Sequence, residues 1–477
     1  MGRVTPTGVS DPERSDSDST GESRPVRRST STASVAAEPR RTEPRRAERP
    51  RGEPRRAEPR RTEPPRAEPT DDAPLTGTAP YGRRGLPEDA GVEPRRYQVV
   101  VDPSFVDPDV RKVLKRLVRS GREAYLVGGC VRDLLLGRQP KDFDVATSAH
   151  PEEVRELFRN SRIIGRRFRL VHVLFQGRKV IEVATFRSTP DSDGAMIRSD
   201  NVYGTAAEDA YRRDFTINAL FYDLETNHIL DWVGGMKDIQ RRIVRTVGDP
   251  VVRFIEDPVR LLRAIKFSGR LDLGIEPDVH EAIVHCRESL REAARPRVAE
   301  EILRLLRGGQ ARRSLYIAWE TGVLDVLLPE LAALFYENDR DDSPGARAWR
   351  QLAYIDAKHQ AGELLDDTVL WTLLLLEMLK EACEGHRDRS AAVGEFLEGL
   401  VERLAITRRS ADGIRRIVAT LPRLKSGKAG RGARTEAYGF ALHVAEADRL
   451  SEGVRTRPRA KARDVNEVPA AEAQPVE

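Results

Sequence analysis

Leu126-Val-Gly-Gly-Cys-Val-Arg-Asp133, followed shortly by Asp142-Phe-Asp144, is the stretch that decides how this chain is read. Ala124-Tyr-Leu-Val127 has the look of a short buried strand, broken by Gly128-Gly129, and a compact helix is expected from Val131 to Leu136, closed by Gly137. A glycine pair between strand and helix lets backbone amides approach a phosphate with no side chain in the way. Arg132, in the first turn of that helix, adds a charge-assisted contact to the same anion. Asp142 to Thr147 reads as the next strand. Side chains alternate along a strand, so both carboxylates point to one face. Two like charges held a few ångströms apart are costly unless a cation neutralises them. Hard oxygen ligands at this spacing suit Mg2+, with Mn2+ as a substitute. A lone DxD pair occurs in many surface loops; here the glycines give it a context.

Working outward, Glu182 offers a third carboxylate, in a strand over Val180–Phe186 where Ile181 and Val183 take the core side. Its bland alternative is an exposed edge-strand residue. Three such carboxylates imply attack of a ribose 3′-hydroxyl on an α-phosphate, with two metal ions on the attacking and leaving oxygens. Before the glycines, a helix opens at Asp107-Pro108-Asp109, repeats Val110, Leu114 and Val118, and ends at Ser120-Gly121. After the aspartates come a helix from Pro151 to Phe158 and strands at Arg162–Ile164 and Leu170–Phe175, with Gln176-Gly177 as a turn. Strands and helices mixed over so short a distance form a small α/β unit with a mixed sheet. Residues 188–204 are polar and read as a mobile loop; Phe215 to Leu220 is helix-compatible, and Leu224 to Asp231 suits a small hairpin around Asn227.

The remainder is helical, over 257–269, 277–291, 296–307 and 311–420, with Val369–Leu379 as a buried helix despite Glu377. Glu256, Arg260 and Arg263 are spaced i, i+4 and i+7, one face of a helix, while Val259, Leu262 and Ile265 turn to the core. An arginine fork beside a carboxylate is rigid enough to hydrogen-bond a base edge; a surface ion-pair ladder is the alternative.

The chain has 477 residues, 81 basic and 76 acidic, for a net charge of +5. Between Glu38 and Pro69 lie 11 arginines and 7 glutamates in a drifting E-P-R-R-(T/A) repeat, a net of +4. Its prolines forbid a helix and it has no apolar residues to bury, so a polyproline-leaning disordered arm is expected. Such an arm either makes loose phosphate contacts or serves as a spacer. Three cysteines, none in a CxxC, support neither a disulfide scaffold nor a thiolate zinc site. No apolar run suits a membrane span or a secretory signal, so a cytoplasmic protein is expected.

Taken together, Leu126–Asp133 with Asp142-Phe-Asp144, Arg212-Arg-Asp-Phe-Thr-Ile-Asn218, Asp231-Trp-Val-Gly-Gly235 and Glu256-Asp-Pro-Val-Arg-Leu-Leu-Arg263 resemble the ordered motifs of the class II nucleotidyltransferase superfamily. Its members are the tRNA CCA-adding enzymes and the bacterial poly(A) polymerases. The resemblance covers about residues 105–310 closely. It implies an α+β fold: a small mixed α/β nucleotidyltransferase head, then an all-helical neck, body and tail, with disordered termini. The corresponding limits are 1–95 for the arm, 96–223 for the head, 224–310 for a base-recognising neck, 311–424 for an RNA-binding body, 425–454 for a basic loop and tail helix, and 455–477 for the disordered end.

The resemblance further implies that Asp142 and Asp144 hold the metals, that Glu182 is the third catalytic carboxylate, and that Gly128, Gly129 and Arg132 contact the triphosphate of ATP. Arg212, Arg213, Asp214 and Asn218 would link head to nucleotide, and Glu256, Asp257, Arg260 and Arg263 would read the base. RNA 3′ ends, especially single-stranded ones, are the expected partners, with RNA-decay proteins beyond them and a monomer as the expected state. Ile163-Ile-Gly-Arg-Arg-Phe-Arg-Leu-Val-His-Val-Leu-Phe175 is similar to the segment typical of the polyadenylating branch. Within it His172 is as readily structural as an RNA contact. His359 and His386 lack an adjacent Asp, which argues against an added phosphohydrolase centre. Poly(A) addition is therefore the expected activity, CCA or A addition to tRNA the alternative, and an RNA-binding protein without catalysis a third reading that the intact carboxylates oppose.

Overall fold

In the computed structural model the described residues are 93–165, 169–188, 202–337, 340–426 and 435–452. Contacts divide the chain into Met1–Pro74 and Leu75–Glu477, and every described residue falls in the second unit. The expectations for the arginine-rich arm, most of the 188–204 loop, the basic stretch before the last helix and the C-terminal end lie outside the described residues.

Eight strands form one mixed sheet: β1 (Arg95–Gln98), β2 (Ala124–Val127), β3 (Asp144–Thr147), β4 (Ser161–Ile164), β5 (Leu170–Leu174), β6 (Val180–Thr185), β7 (Phe221–Asp223) and β8 (His228–Asp231). Their order is β1-β8-β7-β2-β3-β6-β5-β4, and β3–β6 is the one parallel pair in it. Alternation sorts the side chains by face. Leu126, Val145, Val183 and Val171 lie in register on the inner face, packed with Val110, Leu117 and Val154 from α1 (Pro108–Arg119) and α3 (Pro151–Leu157). On the other face, α4 (Ala206–Tyr211) closes over β2, β3 and β7 through Ala207, Ala210, Val127, Ala146 and Phe221. Residues of β4, β5 and β6 on that second face stay half-buried or exposed.

The sequence expectations need four corrections. α2 runs over Gly129–Leu135, so the helix starts at the glycine pair rather than at Val131. β3 begins at Asp144; Asp142 sits in a bend two residues after Pro140, whose ring removes an N–H and resists sheet pairing. Phe215–Leu220 does not form a helix but holds one 3-10 turn over Thr216–Asn218. It is pinned instead by the Phe215–Thr246 bridge and by Thr216 N–H donating to the Arg245 carbonyl. The hairpin around Asn227, which takes a positive φ of 56°, belongs to the head sheet, so the sheet extends past residue 223 to Asp231.

Asp231 turns the chain out of that sheet. Its Oδ1 accepts from the N–H groups of Val233, Gly234 and Gly235, and its Oδ2 from that of Met236, at 2.8–3.1 Å. These four donors include first-turn amides of α5 (Gly235–Arg241), and the carboxylate is 1% exposed. Gly235 has no alternative side chain, since a Cβ there would stand 2.2 Å from the Thr216 carbonyl oxygen. Asp231→Ala should therefore cost at least about 3 kcal/mol, several buried amides losing their acceptor at once. Urea midpoints of the two proteins check this.

Beyond α5, a two-residue parallel pair of β9 (Ile243–Val244) and β10 (Gly274–Ile275) ties the neck together. Its helices are α6 (Pro250–Glu256), α7 (Val259–Leu271), α8 (Pro277–Cys286) and α9 (Arg295–Arg307). The body follows with α10 (Ala311–Glu320), α11 (Val323–Leu327), α12 (Pro329–Tyr336), α13 (Pro344–Gln360), α14 (Asp367–Ala382), α15 (Arg389–Leu404) and α16 (Arg408–Lys425), and α17 (Glu436–Glu452) is the last helix among the described residues. The α+β class holds, a mixed head followed by helices. Val369–Leu379 is buried within α14, and Glu377 is tolerated there because Arg347, Gln351 and Lys380 all donate to it. Among the described residues no helix is long and apolar enough to cross a membrane.

Candidate active site

Parallel pairing of β3 with β6 sets Asp144 directly opposite Glu182 on the open face. Ile181 and Val183, both 1% exposed, face the core as their spacing requires. Asp144 keeps an exposed edge, yet protein crowds its other sides. Its carboxyl is pushed up to about 6, first by burial, then by Glu182 and, more weakly, by Asp142, with Arg213 pulling the other way. A carboxyl held this close to another carboxylate is stabilised by a cation that neutralises the pair. Among the described residues no group of three or more His, Cys, Asp or Glu is gathered closely enough to enclose a metal by itself. Asp142, off the strand, also lines a neighbouring cavity of about 570 Å3 with Lys141 and Lys179. Lys179 is itself held by Asp107 and Asp109.

Gly128 lies beside the carboxylates, at the end of β2, with φ 73° and ψ −134°. A Cβ there would meet Arg213 Nη1 at 3.3 Å and Asp144 Oδ2 at 3.7 Å. The missing side chain thus leaves a small slot over the Gly128 backbone, bordered by a guanidinium and a carboxylate. Arg132 does not face this slot. It is 3% exposed: Nε and Nη2 donate to Asp133 Oδ1, Nη1 donates to Asn218 Oδ1, and the guanidinium lies 5.1 Å from the centre of the Phe267 ring. It joins α2 to α7. Arg213 is the cation at the slot.

Arg212 and Arg213 both donate to Asp209, which is 3% exposed and which the sequence reading had passed over. The signal was available, since Asp209 stands three and four residues before the arginines, one turn of helix away. Burial pushes the Asp214 carboxyl up, but Arg263 and Asn218 outweigh it and hold it below the usual carboxylate range. Arg263 Nε donates to Asp214 at 2.7 Å, which ties α7 to the Arg212–Asn218 segment.

The expected base-reading face is not one continuous helix. Glu256 ends α6, Asp257 is extended with φ −150° and ψ 93°, and α7 starts only after Pro258. Proline drives the residue before it out of the helical region and breaks the run. The break nevertheless gathers the groups. Arg260 Nη1 donates to Glu256 and to the Arg253 carbonyl, both at 2.9 Å, while Asp257 receives both ends of the Arg297 fork at 3.0 and 2.7 Å. Arg253, whose guanidinium burial brings down to about 10, donates to the carbonyls of Arg212 and Arg213. Arg253 also donates to Glu256 three residues on, a spacing the sequence offers, whereas Arg297 lies 40 residues from its partner Asp257 and was not legible as a site residue.

Residues 124–245 match the family described as "Poly A polymerase head domain", and 272–335 match "Probable RNA and SrmB- binding site of polymerase A". These matches take in less than half of the chain, and over them the chain is similar to the bacterial tRNA nucleotidyltransferase/poly(A) polymerase family. It is 42% identical over 268 residues to poly(A) polymerase I of Escherichia coli O6:H1, covering 54% of this chain and 57% of that protein. It is 41% identical over 221 residues to the CCA-adding enzyme of Geobacillus stearothermophilus, covering 46% of this chain and 54% of that one. The chain thus spans little more than half the length of these relatives. Among solved structures, the Bacillus stearothermophilus CCA-adding enzyme in complex with CTP superposes with a TM-score of 0.53 at 29% identity, over 72% of this chain and 78% of that chain.

Proposed function

We propose that the protein transfers a nucleoside monophosphate from a nucleoside triphosphate to the 3′-hydroxyl of RNA, without a template, releasing diphosphate. The observation that carries this reading is the registered Asp144–Glu182 pair beside the Gly128 slot. In this mechanism the slot and Arg213 bind the triphosphate, and Glu182 draws the proton from the attacking hydroxyl. Arg260, braced by Glu256, and Asp257, braced by Arg297, present a fixed fork and acceptor to the base. Mg2+ held by Asp142 and Asp144 would supply charge stabilisation on the attacking and leaving oxygens. The head carries the chemistry, the neck the base recognition, and the body over 311–424 the RNA.

Two finer readings remain, each with its own support. Adenylate addition to generic RNA is supported by the Ile163–Phe175 segment and by the 42% identity to a poly(A) polymerase I. Addition of CCA or A to tRNA is supported by the fold's likeness to a CCA-adding enzyme bound to CTP, which extends over more of the chain. The description matched over 272–335 also favours a protein partner from RNA metabolism. Sequencing the products made with all four nucleoside triphosphates separates the two readings, using an unstructured oligonucleotide and a tRNA lacking its CCA end. Long runs of A on both RNAs are expected for adenylate addition. Efficient CTP incorporation on the truncated tRNA, then one A and a halt, would establish the tRNA reading instead.

A further inference from the structure

The registers of four neighbouring strands line up a single row of polar residues on the open face: Asp144 on β3, Glu182 on β6, His172 on β5 and Arg162 on β4. Directly paired residues share a face, so this is one continuous track. At about 4.8 Å per strand it extends about 14 Å from Asp144 to the sheet edge. His172 Nε2 stands 3.5 Å from Glu182 Oε2. Arg162 is exposed and makes no hydrogen bond or ion pair among the described residues. Ile164 and Val180, 43% and 44% exposed, flank the track on the same face.

We infer that this row is the path by which the last nucleotides of the RNA strand reach the carboxylates, with Arg162 on a backbone phosphate and His172 beneath a base. The inference rests on the nucleotidyl-transfer reading and adds a direction to it. In-line displacement requires the attacking and leaving oxygens on opposite sides of the phosphorus. The Gly128 slot lies on the β2 side of Asp144, and the strand order puts β6, β5 and β4 on the other. A triphosphate in the slot therefore releases its diphosphate on the β2 side, and the 3′-hydroxyl arrives over Glu182. An exposed cation, an imidazole and apolar side chains in sequence suit a single strand, whose phosphates take the charge and whose bases take the flat and apolar surfaces. The same hairpin, β4–β5, contains Ile163–Phe175, the segment similar to the one typical of the polyadenylating branch, and His172 is where that hairpin meets Glu182.

The test is binding of the full chain to a 5′-fluorescent oligo(A) ending in a 3′-deoxy nucleotide, which can bind but not react, read by anisotropy over a salt series. Arg162→Ala should weaken binding about fivefold or more and flatten the slope of log affinity against log salt by about 0.7, the loss of one single-strand phosphate contact. Arg162→Lys should restore most of the slope. Melting temperature should not change, because Arg162 is an exposed edge residue, and the KM for ATP should stay as it was. Affinity and slope equal to wild type for Arg162→Ala would overturn the track and leave this face for another partner, such as a protein. Absence of nucleotide transfer by the wild type would instead count against the functional reading, and the binding series would still decide the track.

Discussion

Asp144→Asn is expected to lower nucleotide transfer by at least about a thousandfold, equivalent to about 4 kcal/mol of transition-state stabilisation, while the protein stays folded. The reason is geometric: Asp144 is the carboxylate that faces both Glu182 and the Gly128 slot. The same change should not destabilise the metal-free protein at neutral pH. In the folded chain this carboxyl is pushed up to about 6, above the ordinary aspartate value near 4, by burial and then by Glu182. The folded state thus holds the proton more tightly than the unfolded one, and stability falls as pH rises from about 4 to about 6, where the full cost is reached. Asparagine removes that cost. In the presence of a chelator the variant should melt no lower than wild type at pH 7, and its relative advantage should vanish near pH 4. Activity lost together with a large drop in melting temperature would mark Asp144 as structural.

Gly128→Ala has the second largest expected effect, because it fails twice. The backbone at φ 73° and ψ −134° is a conformation that only glycine adopts without strain, and holding alanine there costs about 1–3 kcal/mol. The new methyl would also stand 3.3 Å from Arg213 Nη1 and 3.7 Å from Asp144 Oδ2, inside the slot assigned to the triphosphate. Transfer should fall about a hundredfold or more, with the KM for every nucleoside triphosphate raised alike, since phosphate and not base is excluded. Initial-rate measurements with ATP and with CTP check it. A loss confined to one base would move the triphosphate away from Gly128.

How much of this was legible in the sequence depends on whether the cause was local. The strand Ala124–Val127, the α1 helix and the alternation around Glu182 follow from periodicity and glycine punctuation, and the structure reproduces them closely. The carboxylate trio was legible in composition but not in geometry. Asp142 leaves the strand because of Pro140, and Asp144 meets Glu182 only through a parallel pairing that no local pattern announces. For Arg132 the position in the first turn after two glycines was legible, but not its contacts with Asp133, Asn218 and Phe267, two of which lie far away in sequence. The face expected to read the base is split: Pro258 breaks the helix, Arg260 is held by Glu256 and the nearby Arg253 carbonyl, and Asp257 is held by Arg297, 40 residues on. A partner as distant as Arg297 becomes visible only once the chain is folded.

The central claim is that this head joins a nucleotide to an RNA 3′-hydroxyl. The most direct measurement incubates the wild-type protein, Mg2+ and α-labelled ATP with two RNAs that differ only in their last sugar, one ending in a 3′-hydroxyl and the other in a 3′-deoxy nucleotide. Label should enter the hydroxyl-ended RNA, with diphosphate released in equal amount, and the deoxy-ended RNA should stay unlabelled. Label in neither RNA, with tRNA and CTP giving none either, or equal label in both, would contradict the account.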